Sequence, residues 1–495
     1  MPKYVLHYAS ESFPNFREAE FHSIVKVLGY NLKSIILDIT DFSECVVIIE
    51  LDSEIKLRNI LDRSILIKQA IAYWAQAPDY AKLIKIVANI ERDLLKDYLY
   101  SEAQSFKVIL STINNKFDDE SRRNYISDIL DEHPTPIMSS INLKTPTFIL
   151  NLIFNFEVVT KRLINVTYGR FIGESNRSLM MNKFSLSNRS YLGNTSMNVE
   201  LATIAANLGL CKENSIVYDP FVGSGGCLIM ASHFGSSVYG SDIDYALLHG
   251  YDKSPKSGQG ARKPDECLKT CYRDYGLENY FLDILIADSA MIQDLWRNSS
   301  KNYFNAIITD PPYGVRESSR RISKMNVEKQ AKLMNPDEVL KITQGKSIGM
   351  VPNSEGLVPM LHDIPHIPHK EQYPLEETFV DLVNFSAGKL NEGGRLVFWI
   401  PIHGSDLEKA GDVSLLIPFH PRLRILHACE QFLNMRVSRF LVVMEKLFSH
   451  ESDLESRENR CTENLKSFLK RQPHARQKNE EIKIKYIKTN PIPDN

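Results

Sequence analysis

Ser215-Ile216-Val217-Tyr218-Asp219-Pro220-Phe221-Val222-Gly223-Ser224-Gly225-Gly226 is the stretch on which the fold turns. Its first four residues form the short apolar run of a buried parallel strand, and Asp219-Pro220 ends it. The glycines that follow let a ligand approach the backbone closely. Cys227 to Phe234 then reads as a helix, and Ser237-Val238-Tyr239-Gly240-Ser241 as a second strand closing on Asp242-Ile243-Asp244. Strand, glycine loop, helix, strand, acid is a nucleotide-binding βαβ unit, in which the acid after the second strand takes both ribose hydroxyls. The loop departs from the dinucleotide pattern G-x-G-x-x-G and lacks the Lys-Ser/Thr of a phosphate-binding loop. With no pyrophosphate to hold, an adenosyl ligand such as S-adenosylmethionine fits best. The alternative is a tight turn that binds nothing.

Downstream, Asp283-Ile284-Leu285-Ile286-Ala287 reads as a third strand ending at Asp288, well placed for an adenine amino group. The fourth, Phe304-Asn305-Ala306-Ile307-Ile308-Thr309, runs into Asp310-Pro311-Pro312-Tyr313-Gly314. Two prolines stop it, since neither donates a ladder hydrogen bond. The result is a rigid corner at a strand's C-terminal end, where ligands of open α/β sheets sit. The Asp310 carboxylate and the Pro311 carbonyl can accept the hydrogens of a flat, amine-bearing base while Tyr313 stacks on its ring. Asp-Pro-Pro also marks ordinary surface turns. Gly393 to Pro401, Leu423 to Ala428 and Phe440 to Glu445 complete seven strands, the last two as an antiparallel edge hairpin. The expected fold is therefore α/β, a seven-stranded doubly wound Rossmann-like sheet.

Between the fourth and fifth strands lies an insertion, Val315 to about Pro374, too long for a plain loop. It opens with Arg316, Arg320, Arg321 and Lys324, suited to the phosphates of a flipped nucleotide. Residues 1–70 read as a small α+β module, and residues from about 70 to 160 as a second small unit. Lys107, Arg122, Arg123, Lys144, Lys161 and Arg162 in the latter make either a basic RNA-facing surface or a solvated face. Tyr168 to Ser190 is polar and aperiodic, and reads as a connection. The segment beyond 449 reads as a charged tail.

A net charge of −2 excludes a polycation, so any nucleic-acid binding must come from a local basic face. Seven scattered cysteines without framework spacing fit a reducing, cytosolic setting. No signal-peptide core and no 18-residue apolar run is present. Cys267 and Cys271 lack a second pair nearby, and His362, His366 and His369 alternate with prolines, so no metal site is expected.

Arg189-Ser190-Tyr191-Leu192-Gly193-Asn194-Thr195-Ser196-Met197, Asp219 to Gly223, Gly240-Ser241-Asp242-Ile243-Asp244-Tyr245 and Ile308 to Glu317 together closely resemble the catalytic subunits of eukaryotic tRNA guanosine-10 N2-methyltransferases. The likeness reaches Ile141-Asn142-Leu143-Lys144 and Tyr168-Gly169-Arg170-Phe171-Ile172, and is weakest at the tail. It implies a ferredoxin-like module at 1–70, a THUMP domain gripping tRNA at 71–165, a linker at 166–190, a methyltransferase domain at 191–448 and a tail at 449–495. It also implies a small zinc-binding activator subunit as partner. Gly226 departs from wider families, which often carry Thr or Ser there.

On this reading Asp219, Pro220, Phe221, Gly223 and Gly225 shape the S-adenosylmethionine pocket. Asp242 takes the ribose, Ile243 packs against adenine and Asp288 holds its amino group. Asp310, Pro311, Pro312 and Tyr313 form the catalytic corner; Arg316, Arg320, Arg321, Lys107 and Lys144 face RNA. The rival readings are an amino-methyltransferase acting on DNA adenine or cytosine or on protein glutamine, and a catalytically silent RNA-binding scaffold.

Overall fold

The computed structural model describes residues 1–9, 13–36, 40–91, 95, 98–100, 102–133, 137–193, 195–251, 262–263, 266–296, 302–313, 319–322, 349–353, 356–360, 370–434 and 436–448. Its N-terminal part is built on one seven-stranded sheet. The strands are β1 (Lys3–Tyr8), β2 (Val46–Glu50), β3 (Ile67–Ala77), β4 (Ser105–Ile113), β5 (Ser140–Ile141), β6 (Phe148–Phe156) and β7 (Leu163–Glu174), in the order β2-β1-β3-β7-β6-β4-β5. Helices α1 (Arg17–Val27), α2 (Glu54–Arg63), α3 (Tyr80–Val87) and α4 (Asp119–Asp131) accompany it. Ser53, Asp79 and Asp118 cap the last three by accepting the Ile55, Lys82 and Ser121 amides.

This sheet corrects the expected division. Boundaries at 70 and 165 fall inside β3 and β7, which pair antiparallel from Gln69↔Glu174 to Ala77↔Val166. The expected linker at 166–190 holds the rest of β7 and a further helix, α5 (Arg177–Lys183). The strand was hidden by its polar, aperiodic sequence, and the fold explains the Gly169 within it. A Cβ there would lie 1.9 Å from the Ala72 carbonyl oxygen, so β3 and β7 meet closely only because residue 169 has none. β5 is short, because Asn142 turns the chain by accepting the Lys144 and Thr145 amides.

The second sheet comprises β8 (Ile216–Asp219), β9 (Ser237–Asp242), β10 (Phe281–Ile286), β11 (Phe304–Thr309), β16 (Leu390–His403), β17 (Leu423–Asn434) and β18 (Val437–Lys446). Their order is β10-β9-β8-β11-β16-β18-β17. Five strands run parallel; β18 is antiparallel to both β16 and β17, so the edge hairpin is as expected. The chain moves outward from β8 in both directions. The crevice between the C-terminal ends of β8 and β11 is thus the topological switch point, the natural ligand site. Helices α6 (Val199–Leu208), α7 (Gly226–His233), α8 (Leu268–Tyr275) and α9 (Leu375–Lys389) belong to this unit. Within the insertion, β12 (Arg320–Ile322) pairs with β15 (Lys370–Gln372), and β13 (Gly349–Asn353) with β14 (Gly356–Met360).

The two units share one core, which runs from Phe16, Phe21 and Ile24 of the first into Leu201, Ile204 and Trp399 of the second. Polar contacts seal the junction. Glu20 on α1 accepts from Ser64 Oγ (2.7 Å), the Ile65 amide (3.1 Å), the Leu66 amide (3.2 Å) and Asn207 Nδ2 on α6 (2.9 Å). Arg395 Nη1 on β16 donates to Ser23 Oγ (2.9 Å) and the Leu208 carbonyl (2.8 Å). No described helix is long and apolar enough to cross a membrane.

Candidate active site

β8 and β11 lie side by side, with Ala306 opposite Val217 and Ile307 opposite Tyr218. Their C-terminal carboxylates, Asp219 and Asp310, are therefore delivered to one crevice. Asp219 is buried, accepting from Thr309 Oγ1 at 2.5 Å and from the Phe221 amide at 3.0 Å. Burial pushes its carboxyl up to about 7; those two hydrogen bonds pull down, and the nearby Asp242 and Asp310 charges add to the rise.

The glycine loop follows. Gly223 and Gly225 have φ of 50° and 75°, the left-handed region that β-carbons resist. A Cβ at Gly225 would meet Leu268 Cδ1 at 2.5 Å, so that glycine serves packing against α8. At Gly223 the nearest atom to such a Cβ is the Phe221 carbonyl oxygen, 3.9 Å away. That side of the loop is open and can receive a ligand. The Gly223 amide donates to Asp242 Oδ2 at 2.9 Å, and Asp242 Oδ1 accepts the Asp244 amide at 2.9 Å. The carboxylate at the end of β9 is thus fixed beside the loop and half-exposed, as a ribose acceptor needs. These residues fit an adenosyl cofactor.

Three arrangements were not legible in sequence. The Arg189–Ser196 stretch wraps the loop: Arg189 donates to the Ser224 carbonyl, and Ser196 Oγ meets Ser224 Oγ at 2.8 Å. The stem of the insertion reaches the two residues expected to meet adenine: the Ile322 amide donates to Asp288 Oδ2 at 2.6 Å and Lys370 Nζ to the Ile243 carbonyl at 2.9 Å. Asp288 also accepts the Ala290 amide at 2.9 Å. Third, Arg439 on β18 donates to Asp310 Oδ2 at 3.3 Å.

At the corner, Pro311 is buried, while Pro312 and Tyr313 are partly so. The Tyr313 hydroxyl donates to Asp310 Oδ1. Burial first, and then the Asp310 charge, push that phenol well above its ordinary range, so it stays protonated. Here the Tyr313 ring packs on the core shared by the two units. Of the basic residues, Arg320 is exposed on β12, whereas Arg321 Nε and Nη1 bind Glu371 (2.8 Å) and Glu377 (2.7 Å). Arg321 therefore braces the insertion stem through acids 50 and 56 residues away. Lys107 on β4 and Lys144 in the loop after β5 lie at one end of the N-terminal sheet, joined by the Asn142 amide to Phe106 carbonyl bond of 2.8 Å. Arg316, Lys324, His362, His366 and His369 lie outside the described residues. Cys271 is buried and receives the Tyr191 amide at 3.3 Å, a packing role. Among the described residues no cluster of three or more His, Cys, Asp or Glu is arranged to hold a metal.

The raised Asp219 has a consequence for ligand binding. An apo pocket with this group near 7 is protonated in mild acid, and a cationic ligand favours the ionised form. Affinity for S-adenosylmethionine is expected to rise roughly threefold to tenfold between about pH 6 and pH 8, measured by calorimetry, with Asp219→Asn flattening the profile. The stability of the apo protein runs oppositely. The unfolded carboxyl titrates near about 4, so this group's contribution is complete below that and is lost as pH rises to about 7.

Comparison with known proteins agrees with this geometry. The family described as "Tmrp11 THUMP N-terminal domain" matches residues 2–177, and "RMKL-like, methyltransferase domain" matches residues 187–332. The chain is 34% identical over 409 residues to the tRNA (guanine(10)-N(2))-methyltransferase TRMT11 of Bos taurus, covering 82% of this chain and 80% of that one. It is 34% identical over 410 residues to the protein of the same name from Homo sapiens, covering 82% and 80%. Among solved structures, TrmN from Thermus thermophilus is similar at 14% identity and a TM-score of 0.41, covering 90% of this chain and 100% of that one. With a third of its residues shared over four-fifths of its length, this chain belongs to the TRMT11 tRNA (guanine(10)-N(2))-methyltransferase family.

Proposed function

We propose that this chain is the catalytic subunit of a tRNA methyltransferase that modifies the exocyclic N2 of guanosine at position 10. The observation that carries this reading is the juxtaposition of the Asp310-Pro311 corner with the open side of the Gly223 loop, in a chain of this family. Bound in that pocket, S-adenosylmethionine supplies an electrophilic methyl group. The chain's own residues supply position. Asp219, Pro220, Phe221, Gly223 and Gly225 shape the pocket, Asp242 takes the ribose hydroxyls, Ile243 packs on the adenine and Asp288 faces its amino group. Asp310 and the Pro311 carbonyl accept the two N2 hydrogens, turning the nitrogen lone pair toward the glycine loop. Pro312 holds the corner rigid. Tyr313 stacks on the guanine once its hydroxyl swings off Asp310. Such alignment accounts for most of the acceleration when the electrophile is already reactive. Guanosine must leave its stack to reach the corner. Arg316, Arg320, Lys107 and Lys144 steady the RNA backbone.

Transfer of a labelled methyl group to unmodified tRNA, with the product nucleoside mapped, tests this. N2-methylguanosine at position 10 is expected; label on another nucleoside, or only on DNA or protein, overturns it.

The activator subunit belongs to the same proposal. Among the described residues β10 is an edge strand that pairs only with β9, and Leu282, Leu285 and Ile286 on it are exposed. An unpaired apolar edge of this kind invites a partner strand. Leu282→Asp with Ile286→Asp should abolish co-purification with the small zinc-binding activator while the isolated chain keeps its melting behaviour; undiminished co-purification would refute the docking edge. We place the reaction in the cytosol, in keeping with the free thiols of Cys45, Cys211, Cys227, Cys267, Cys271 and Cys429, which a fluorescent fusion would check.

A further inference from the structure

Arg439 lies on β18, separated from the corner by β16, and reaches Asp310 across it. Its guanidinium sits over the Trp399 ring, 4.2 Å from the centroid. Nε donates to Gln431 Oε1 on β17 at 2.7 Å, and Nη1 donates to Asp310 Oδ2 at 3.3 Å. Trp399 is itself fully buried and packs on Phe16 at 6.0 Å. The guanidinium is therefore held by a ring face, an amide and a carboxylate, with its side chain only 16% exposed. An ordinary surface ion pair is loose and contributes little; this one is fixed from three strands and aimed at the reacting corner.

We propose that Arg439 is the positioning residue for methyl transfer: it keeps the Asp310 carboxylate ionised and turned to accept the guanine N2 hydrogens. This rests on the proposed tRNA reaction only for its kinetic readout. The titratable groups facing Asp310 are Asp219 from β8, Cys227 from the start of α7, Tyr313 of its own corner and Arg439. Two carboxylates in one desolvated crevice compete for a proton, since both charged is costly. A cation paired with Asp310 decides that competition, leaving the proton to Asp219. The choice matters chemically. A protonated Asp310 presents an O–H where the substrate presents N–H, and one acceptor is lost. Trp399 and Gln431 set the direction of the guanidinium, and it in turn sets the plane of the carboxylate.

The alternative is that Arg439 merely braces the β17–β18 hairpin. Two variants of the full-length chain separate these roles. Arg439→Met keeps the aliphatic stem and removes the charge; Arg439→Lys restores charge without the planar fork. The Asp310 carboxyl is followed by 13C NMR in protein labelled at aspartate, assigned with Asp310→Asn, without RNA. Its titration midpoint should rise by about one pH unit or more in Arg439→Met, and about half of that shift should be recovered in Arg439→Lys. In single-turnover transfer to tRNA, the acid limb should move by the same amount and the plateau should fall about tenfold or more in Arg439→Met. At about pH 8, where Asp219 is ionised with or without Arg439, affinity for S-adenosylmethionine stays within about twofold, because no contact joins Arg439 to the glycine loop among the described residues. An unmoved Asp310 midpoint in Arg439→Met, or a midpoint that moves equally in both variants, overturns the proposal. A wild-type chain that labels no tRNA overturns the functional reading instead, and the titration still decides the role of Arg439.

Discussion

Replacing Asp310 with alanine is expected to lower methyl transfer to tRNA by about 10²–10³-fold, the scale of losing one preorganised polar contact at a reacting atom, while S-adenosylmethionine still binds. The reasoning is geometric. Asp310 emerges from β11, and its carboxylate touches Tyr313 and Arg439 at the corner. The cofactor contacts expected of the chain come instead from β8 and β9, through the Gly223 amide and Asp242. Removing the acceptor leaves the guanine N2 free to rotate, so the alignment of its lone pair is lost. Arg439 also loses its partner, but it keeps Gln431 and the Trp399 ring, so little global stability should go with it. Asp310→Asn should be less damaged than Asp310→Ala, because the amide oxygen retains one acceptor. Single-turnover transfer and calorimetric cofactor binding, measured on the same preparations, check the prediction. Near-wild-type transfer by Asp310→Ala would remove Asp310 from the mechanism.

Glu20→Ala should have the largest effect on stability, about 3–5 kcal/mol, the range for stripping the shared acceptor from a buried hydrogen-bonded cluster. Glu20 is 1% exposed and takes four hydrogen bonds, three from the α2–β3 turn of its own unit and one from Asn207 in the methyltransferase unit. Alanine leaves the Ile65 and Leu66 amides buried with no acceptor in its place, while Asn207 Nδ2 keeps only the Arg63 carbonyl at 3.2 Å, and each orphaned amide costs about 1–3 kcal/mol. Burial raises the carboxyl above its usual range, against the pull of those hydrogen bonds. The folded protein thus holds this proton to higher pH than the unfolded chain. The contribution of Glu20 is fullest in acid and diminishes as pH rises through its raised value. Glu20→Gln, which resembles the protonated group, should therefore be the milder variant at neutral pH. Thermal unfolding of the full chain reads both, and a melting point for Glu20→Ala within about 1 °C of wild type would show the knot to be dispensable.

Much of the site was legible because its chemistry is local. Asp219, Gly223, Gly225 and Asp242 belong to one continuous βαβ segment, where strand period and glycine spacing are sequence properties. Asp310 to Tyr313 announce themselves through two consecutive prolines. Arg439 carried no such signal: nothing in Val437-Ser438-Arg439-Phe440 distinguishes it from a strand arginine facing solvent. The ion pairs of Arg321 were hidden for the complementary reason, since proximity in sequence to the corner says nothing about Glu371 and Glu377 arriving from beyond the insertion.

The division of the N-terminal half shows the same limit. Local pattern delivers β1, β2, β4 and β6 but not β3, and whether two small units are separate or share a sheet depends on long-range pairing. β7 completes that sheet where Gly169 lets β3 approach it closely. Sequence alone thus determined the α/β class, the seven-stranded second sheet, the glycine turn after β8 and the proline corner after β11, because periodicity and backbone stereochemistry act over a few residues. Tertiary structure alone decided the single N-terminal sheet, the Glu20 junction and the partner of Asp310, because hydrogen-bond satisfaction in a desolvated interior is settled between residues up to hundreds of positions apart.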